Sequence, residues 1–284
     1  MRIRKPCAAQ TAGLGNIFSQ KNNKGEENET MKKILALVLV LIMALGLAAC
    51  AAPAAPAEEP TPETEKVDSQ AILAELKTPA EESNWERTTS SQEVIDFLKV
   101  VAEHSAGRII LDTTTFATEA GTPISYMIIS DVAPASPADV PEDKGVVYVN
   151  CNIHSGEIEG KESMMIFARE VAQGKHDDLL KDLVVIIVPN SNPDGNDNLG
   201  KNRITTQFTP KLVGTRAEGN GLNVNRDMTK LETACGRPIV KLMNDWNPIL
   251  FIDAHATDGS YMRHAVTYNW GLNAGTDAEL LAYN

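Results

Sequence analysis

Val147-Tyr148-Val149-Asn150-Cys151-Asn152-Ile153-His154-Ser155-Gly156-Glu157 is an apolar run that breaks into a His-Ser-Gly-Glu turn. Its first half follows Gly145 and is β-branched and aromatic with few charges, the composition of a buried strand. Its second half sets an imidazole and a carboxylate three residues apart, where a strand ends and a helix begins. That spacing lets both side chains reach one small cation, and a nitrogen with an oxygen suits zinc. The same spacing also arises among surface and capping residues, so its meaning depends on what lies downstream.

Periodicity organises the chain on either side of this stretch. Asp68 to Leu76 and Ser91 to His104 carry apolar residues at helical spacing, the second with Val94, Ile95, Leu98 and Val101 on one face behind a Ser90/Ser91 cap. Ile109 to Phe116 and Ile124 to Ile129 read as strands joined through Gly121-Thr122-Pro123 in a hairpin. Ile158 to Ala172 is helical, Leu183 to Val188 is a continuous apolar strand, and Arg237 to Trp246 is helical with Pro238 in its first turn. Ile249 to Ile252 reads as another short buried strand, ending at Asp253-Ala254-His255. Alternating strands and helices predict an α/β fold, a mixed and mostly parallel sheet flanked by helices, with chemistry at the carboxyl ends of the strands. His154, Asn192 and His255 all fall just past such ends.

The full chain has 284 residues, 43% of them hydrophobic, and a formal net charge of −12. With no basic stripe, that charge argues against a nucleic-acid partner. Met31-Lys32-Lys33, the uncharged run Ile34 to Leu47, and Leu47-Ala48-Ala49-Cys50 together resemble a bacterial lipoprotein signal with its lipobox. The apolar run is shorter than the roughly 20 residues a membrane span needs. The resemblance implies cleavage before Cys50, a lipid on its sulfur, and a domain exported and anchored to the outer side of the cell membrane. Residues 1–30 have no hydrophobic periodicity, and Lys24-Gly25-Glu26-Glu27 can be encoded by a purine-rich stretch like a ribosome-binding site. The expectation is that Met31 is the true start and 1–30 a misassigned extension. Residues 51–67, rich in Ala, Pro, Glu and Thr, form a stiffened disordered tether, which leaves 68–284 as the folded part. A Cys151–Cys235 disulfide would need an oxidising compartment; the place of Cys151 within a strand favours a buried thiol.

Downstream of His154 come Pro189-Asn190-Ser191-Asn192-Pro193-Asp194-Gly195, then Gly221-Leu222-Asn223-Val224-Asn225-Arg226-Asp227, then Asp253-Ala254-His255. HxxE, NPDG, a G-[VL]-D-L-N-R-type segment and a strand ending in a second histidine, in that order, resemble the zinc carboxypeptidase family. The resemblance runs from about Trp85 to the last residue. It implies that His154, Glu157 and His255 hold one Zn2+, leaving a place for water. Zinc would lower the pKa of that water and polarise the scissile carbonyl. His104, His176 and His264 have no such setting and read as surface or structural residues. Asp253 could orient His255 or cap the strand end.

By the same resemblance Asn225 and Arg226 bind the terminal carboxylate of a peptide, which a planar guanidinium can grip at two points. A further arginine should stabilise the developing oxyanion. Arg203 is preferred for this over Arg216 because it lies nearer NPDG. Two departures stand out. Asn223 occupies a supporting position where the family has aspartate. The family's catalytic glutamate lies well downstream of the second histidine, and none of Glu159, Glu162 or Glu279 sits at the matching place. The expectation is a chain truncated at its carboxyl end, its sheet short of the last strands. Three functions are therefore carried forward: a membrane-tethered carboxypeptidase, an amidase of the same chemistry acting on peptidoglycan stem peptides, and a catalytically inactive zinc- or peptide-binding lipoprotein. A gene fragment without a stable fold is the remaining possibility.

Overall fold

The computed structural model of the chain describes residues 68–203, 210–256, 264, 266–268 and 277–283. The chain divides into two units, Met1–Glu65 and Lys66–Asn284, and every described residue lies in the second. The expected extension (1–30), the lipoprotein signal with Cys50 (31–50) and the tether (51–67) lie outside the described residues. Among the described residues no helix is long and apolar enough to cross a membrane.

Local chemistry sets the element ends. Helix α1 (Ser69–Glu75) begins at Asp68, whose carboxylate accepts from the N–H groups of Gln70 and Ala71. Helices α2 (Pro79–Glu82) and α3 (Ser91–Glu103) open on reciprocal capping boxes, Thr78 with Glu81 and Ser90 with Glu93, which satisfy otherwise orphaned N–H groups. Strands β1 (Ile109–Asp112) and β2 (Tyr126–Ile129) pair antiparallel, as the hairpin expectation required. β1 is shorter than its apolar run. The Asp112 carboxylate accepts from the N–H groups of Thr114 and Thr115 and from the Thr115 hydroxyl, and this turn takes the chain out of the sheet.

The remaining elements are β3 (Gly145–Cys151), α4 (Glu159–Ala172), α5 (Asp177–Leu180), β4 (Leu183–Val188), α6 (Pro193–Asp197), α7 (Gly236–Trp246), β5 (Leu250–Ala254) and α8 (Ala278–Tyr283). The sheet order is β1-β2-β4-β3-β5. β2 meets β4 antiparallel, while β3 lies parallel to both β4 and β5. The sheet is mixed, and its parallel part is the part that leads to the candidate site.

Alternation along the strands builds two cores. One face of β3 and β4 gives Val149, Cys151, Val185 and Ile187 to a cluster with Leu73 of α1, Val94, Leu98 and Val101 of α3, and Met165 and Ala168 of α4. The opposite face gives Val146, Tyr148, Val184 and Ile186 to a cluster with Ile239, Leu242 and Trp246 of α7. Cys151 and Cys235 belong to opposite faces, so both stay free, buried thiols.

β5 departs from expectation. Its apolar run reads as a buried strand, yet Leu250 is 51% and Ile252 42% exposed. The reason is its place at the edge of the sheet. Among the described residues β5 pairs with β3 alone.

Gly160 is where α4 closes on this edge. A Cβ there would lie 2.9 Å from the Ala254 Cβ and 3.3 Å from the Cys151 Cβ, both on strands that lead to the candidate site. Overpacking of this kind typically costs about 1–3 kcal/mol. We expect Gly160→Ala to lower the melting temperature and to weaken metal binding together, because the start of α4, just past Glu157, must move away from the ends of β3 and β5 that lead to the two histidines. Calorimetry and a zinc titration on the same sample check this.

Candidate metal centre

The register of the parallel strands brings two histidines together. Cys151, the last residue of β3, pairs with Ala254, the last of β5, so His154 and His255 leave the sheet side by side. Their ring centroids are 4.9 Å apart. The chain beyond His154 turns through Ser155 and Gly156 and returns Glu157 between the two rings just before α4. Glu157 Oε1 lies 2.9 Å from His154 Nδ1, and Oε2 lies 2.6 Å from His255 Nδ1. His154 and Glu157 are buried, whereas the His255 side chain is 31% exposed.

The outer nitrogens are held as well. His154 Nε2 lies 3.1 Å from Asn223 Oδ1, an oxygen that also accepts from the Asn225 backbone N–H. An oxygen already accepting an N–H makes His154 Nε2 the protonated nitrogen. His255 Nε2 lies 2.9 Å from Asp253 Oδ2, and Asn150 donates to the other oxygen of that carboxylate. Asp253 thus orients His255, one of the two roles left open by the sequence. Asn225 Nδ2 is 3.4 Å from the same His255 nitrogen, too long beside the Asp253 contact to compete for it. With both Nε2 atoms engaged, both Nδ1 atoms face inward.

Electrostatics follow this geometry. Burial by itself pushes the Glu157 carboxyl up, but the hydrogen bonds from His154 and His255 outweigh it and bring the group down to about 2. The bonds to Asp253 and Glu157 raise His255 to about 9, against the opposing effect of burial.

His154, Glu157 and His255 each offer one ligand atom, and these atoms lie within 4.8 Å of one another, the sole such group among the described residues. Two imidazole nitrogens and one carboxylate oxygen, each with its outer side supported, are a donor set that zinc takes when a further position is left to water. The residues present therefore fit the group. Of the other described histidines, His104 Nδ1 bonds Ser69 Oγ at 2.9 Å, His176 bonds Glu170, and His264 is exposed. Glu162 is also spoken for, since both its oxygens accept from Thr88 and Thr89.

The arginines divide differently from the sequence expectation. Arg216 Nη1 lies 3.6 Å from Glu157 Oε1, at the edge of the centre. Arg203, the preferred candidate, folds its guanidinium back over Gly200. Packing explains the difference. Thr215 accepts from the Ser155 N–H and donates to the Gly195 carbonyl, so the 213–216 loop lies flat against the metal turn. A Cβ on Gly214 would sit 2.5 Å from the Gly195 oxygen and 2.6 Å from the Ser155 oxygen, so glycine permits that approach. Arg203 lies nearer NPDG in the sequence, while the backbone bonds of Thr215 carry the next residue, Arg216, inward. Asn225 borders His255, and Arg226 is exposed beside it, its guanidinium donating to the Asn225 carbonyl.

The model of the zinc carboxypeptidase family matches residues 96–238, half of the chain, and the chain belongs to that family. The match takes in His154, Glu157, Arg216 and the Asn225–Arg226 pair; His255 lies past its end and joins the site through the β3–β5 register. Comparison with curated proteins gives no match. Among solved structures, similar chains include a metallo-carboxypeptidase from Burkholderia cenocepacia (20% identity, TM-score 0.46, covering 60% of this chain and 42% of that one). Another is the carboxypeptidase A of Helicoverpa armigera (18% identity, TM-score 0.47, 66% and 50%). A third is a metallo-carboxypeptidase from Pseudomonas aeruginosa in complex with (2-guanidinoethylmercapto)succinic acid (18% identity, TM-score 0.41, 57% and 39%). The chain spans half or less of the length of these three structures.

Asn223 supports His154 with a neutral amide. Outer partners of metal ligands are typically worth about 10–100-fold in metal affinity. We expect Asn223→Ala to weaken zinc binding by an amount in that range. Asn223→Asp, which keeps the acceptor and adds charge, should bind zinc at least as tightly as the parent chain. Competition with a chromophoric chelator measures both.

Proposed function

We propose that this chain carries the zinc-binding part of a metallocarboxypeptidase, which hydrolyses a peptide bond next to a free carboxyl terminus. The observation that supports it is the convergence of His154, Glu157 and His255 with Arg216 and the Asn225–Arg226 pair beside the carboxyl ends of the parallel strands β3 and β5. Zinc, when bound, supplies Lewis acidity towards the scissile carbonyl and makes a water nucleophilic at neutral pH.

The protein's own residues do the rest. Asn223 and Asp253 accept from the outer imidazole nitrogens, which leaves the inner nitrogens, here turned to Glu157, as the ones that would take the metal. Glu157, held as a carboxylate, faces both rings. Arg226 and Asn225, on the open side beside His255, offer donors to a peptide's terminal carboxylate. Arg216 places a permanent positive charge at the rim, where negative charge grows on the carbonyl oxygen. In this reading Arg216 takes the role first given to Arg203.

The lipobox ending at Cys50 supports an exported domain anchored on the outer face of the cell membrane, held off by the tether that follows. That address favours peptidoglycan stem peptides as a second substrate reading with the same chemistry.

Arg226→Ala should weaken binding of a free-carboxylate peptide far more than that of its amidated twin; equal losses would remove Arg226 from the carboxylate site. Losing one oxyanion donor typically costs about 10²–10³-fold in turnover. Arg216→Ala should fall in that range while Arg203→Ala stays near the parent rate, and the reverse order would reinstate Arg203. Offered an N-blocked dipeptide and a muropeptide together, the zinc-loaded protein should cleave the dipeptide if the proton-transfer role is filled; binding of both with turnover of neither would make it the inactive zinc- and peptide-binding lipoprotein. Cleavage of the muropeptide alone would make it a cell-wall amidase instead.

A further inference from the structure

Lys161 lies on α4, four residues past Glu157, and is fully buried. Taking an ammonium out of water is costly, and an apolar side chain of similar volume avoids that cost. All three of its N–H bonds find oxygens: Thr88 Oγ1 at 2.8 Å, the Thr89 carbonyl at 2.5 Å and Asn196 Oδ1 at 2.7 Å. Glu162 Oε1, 3.4 Å away, balances the charge. Burial lowers the pKa of the ammonium, with Glu162 acting in the opposite direction.

An ammonium donates and never accepts. Asn196 must therefore turn its carbonyl oxygen towards Lys161, leaving its NH2 group for the Thr89 carbonyl and Asp197 Oδ1. That same oxygen accepts at 3.0 Å from Asn152 Nδ2, which also donates to Asn190 Oδ1 at 2.8 Å. Asn152 is the first residue past β3 and stands at φ 62°, in the left-handed region where the strand breaks towards His154. Its own side-chain oxygen is buried with no partner among the described residues, so these two donated bonds hold the amide. Donor and acceptor directions thus run without a break from Lys161, through Asn196, to the residue that aims the metal turn.

We propose that Lys161 is a positioning residue for the metal centre, fixing through Asn196 and Asn152 the turn that presents His154. The proposal rests on the reading of that centre as a zinc site. An apolar residue at position 161 would take one of the two donors from the Asn196 oxygen, leaving that amide held by Thr89, Asp197 and Asn152 alone and the Asn152–Asn196 bond less firmly placed.

The test uses the full chain, with Zn2+ titrated against a chromophoric chelator and folding followed by thermal melts. The double variant Lys161→Met/Glu162→Gln removes both charges and leaves none unbalanced. It should melt cooperatively and bind zinc about tenfold more weakly, the lower end of what outer partners of metal ligands are worth. A purely structural ion pair would instead move the melting temperature and leave the affinity alone. Asn152→Gly keeps the left-handed backbone accessible while deleting the Nδ2 donor, and should show the same loss. Parent affinity in either folded variant overturns the proposal; if the double variant does not fold, Asn152→Gly decides alone. A parent chain that takes up no zinc overturns the zinc reading itself, a separate result from unchanged affinity in the variants.

Discussion

The candidate site depends on one pairing, the parallel register of β3 with β5 that sets Cys151 beside Ala254. Neighbouring strands run roughly 4.8 Å apart, and the two imidazoles that leave their ends have centroids 4.9 Å apart. The break at Asn152, φ 62°, brings His154 to that spacing from His255 although it lies two residues further past its strand. A slip of one residue would turn each side chain of β5 to the other face and carry His255 away from Glu157. The burial of β3 between two hydrophobic layers protects that register.

Around this pairing the centre is built unevenly, and the unevenness has a use. His154 and Glu157 sit within protein, with their outer contacts made by Asn223 and by the Ala256 N–H. His255 is open to solvent and is flanked by Asp253 and Asn225. Among the described residues His255 is the open side of the centre; Arg226 is exposed next to Asn225, and Arg216 is exposed beside Glu157 Oε1. Buried donors on one side and exposed cations on the other suit a ligand that brings a negative terminal group.

The polar interior next to the site has the same directional character. The Lys161–Asn196–Asn152 series and the Ser155–Thr215–Gly195 backbone bonds tie the metal turn to α6 on one side and to the Arg216 loop on the other. In both, the partner's chemistry leaves a single arrangement: an ammonium that only donates, and a glycine whose missing Cβ allows backbone to lie on backbone. Polar groups of this kind restrict the turn to one conformation in a way that apolar packing does not.

The sequence by itself determined the α/β class, the strand–turn–helix around His154, the helix cap at Ser90, and the residue types able to hold zinc. These are written in local periodicity and short spacings, which neighbouring residues decide between themselves. Other features needed the tertiary structure. The exposure of β5 comes from its place in the strand order, which an apolar run does not reveal. The nearness of Arg216 to Glu157 comes from backbone bonds between segments far apart in sequence. The pairing of Asn223 with His154, and of Lys161 with Asn196, spans 69 and 35 residues. Such contacts leave no periodic trace, because they are set by where the folded sheet and its loops bring the chain back on itself.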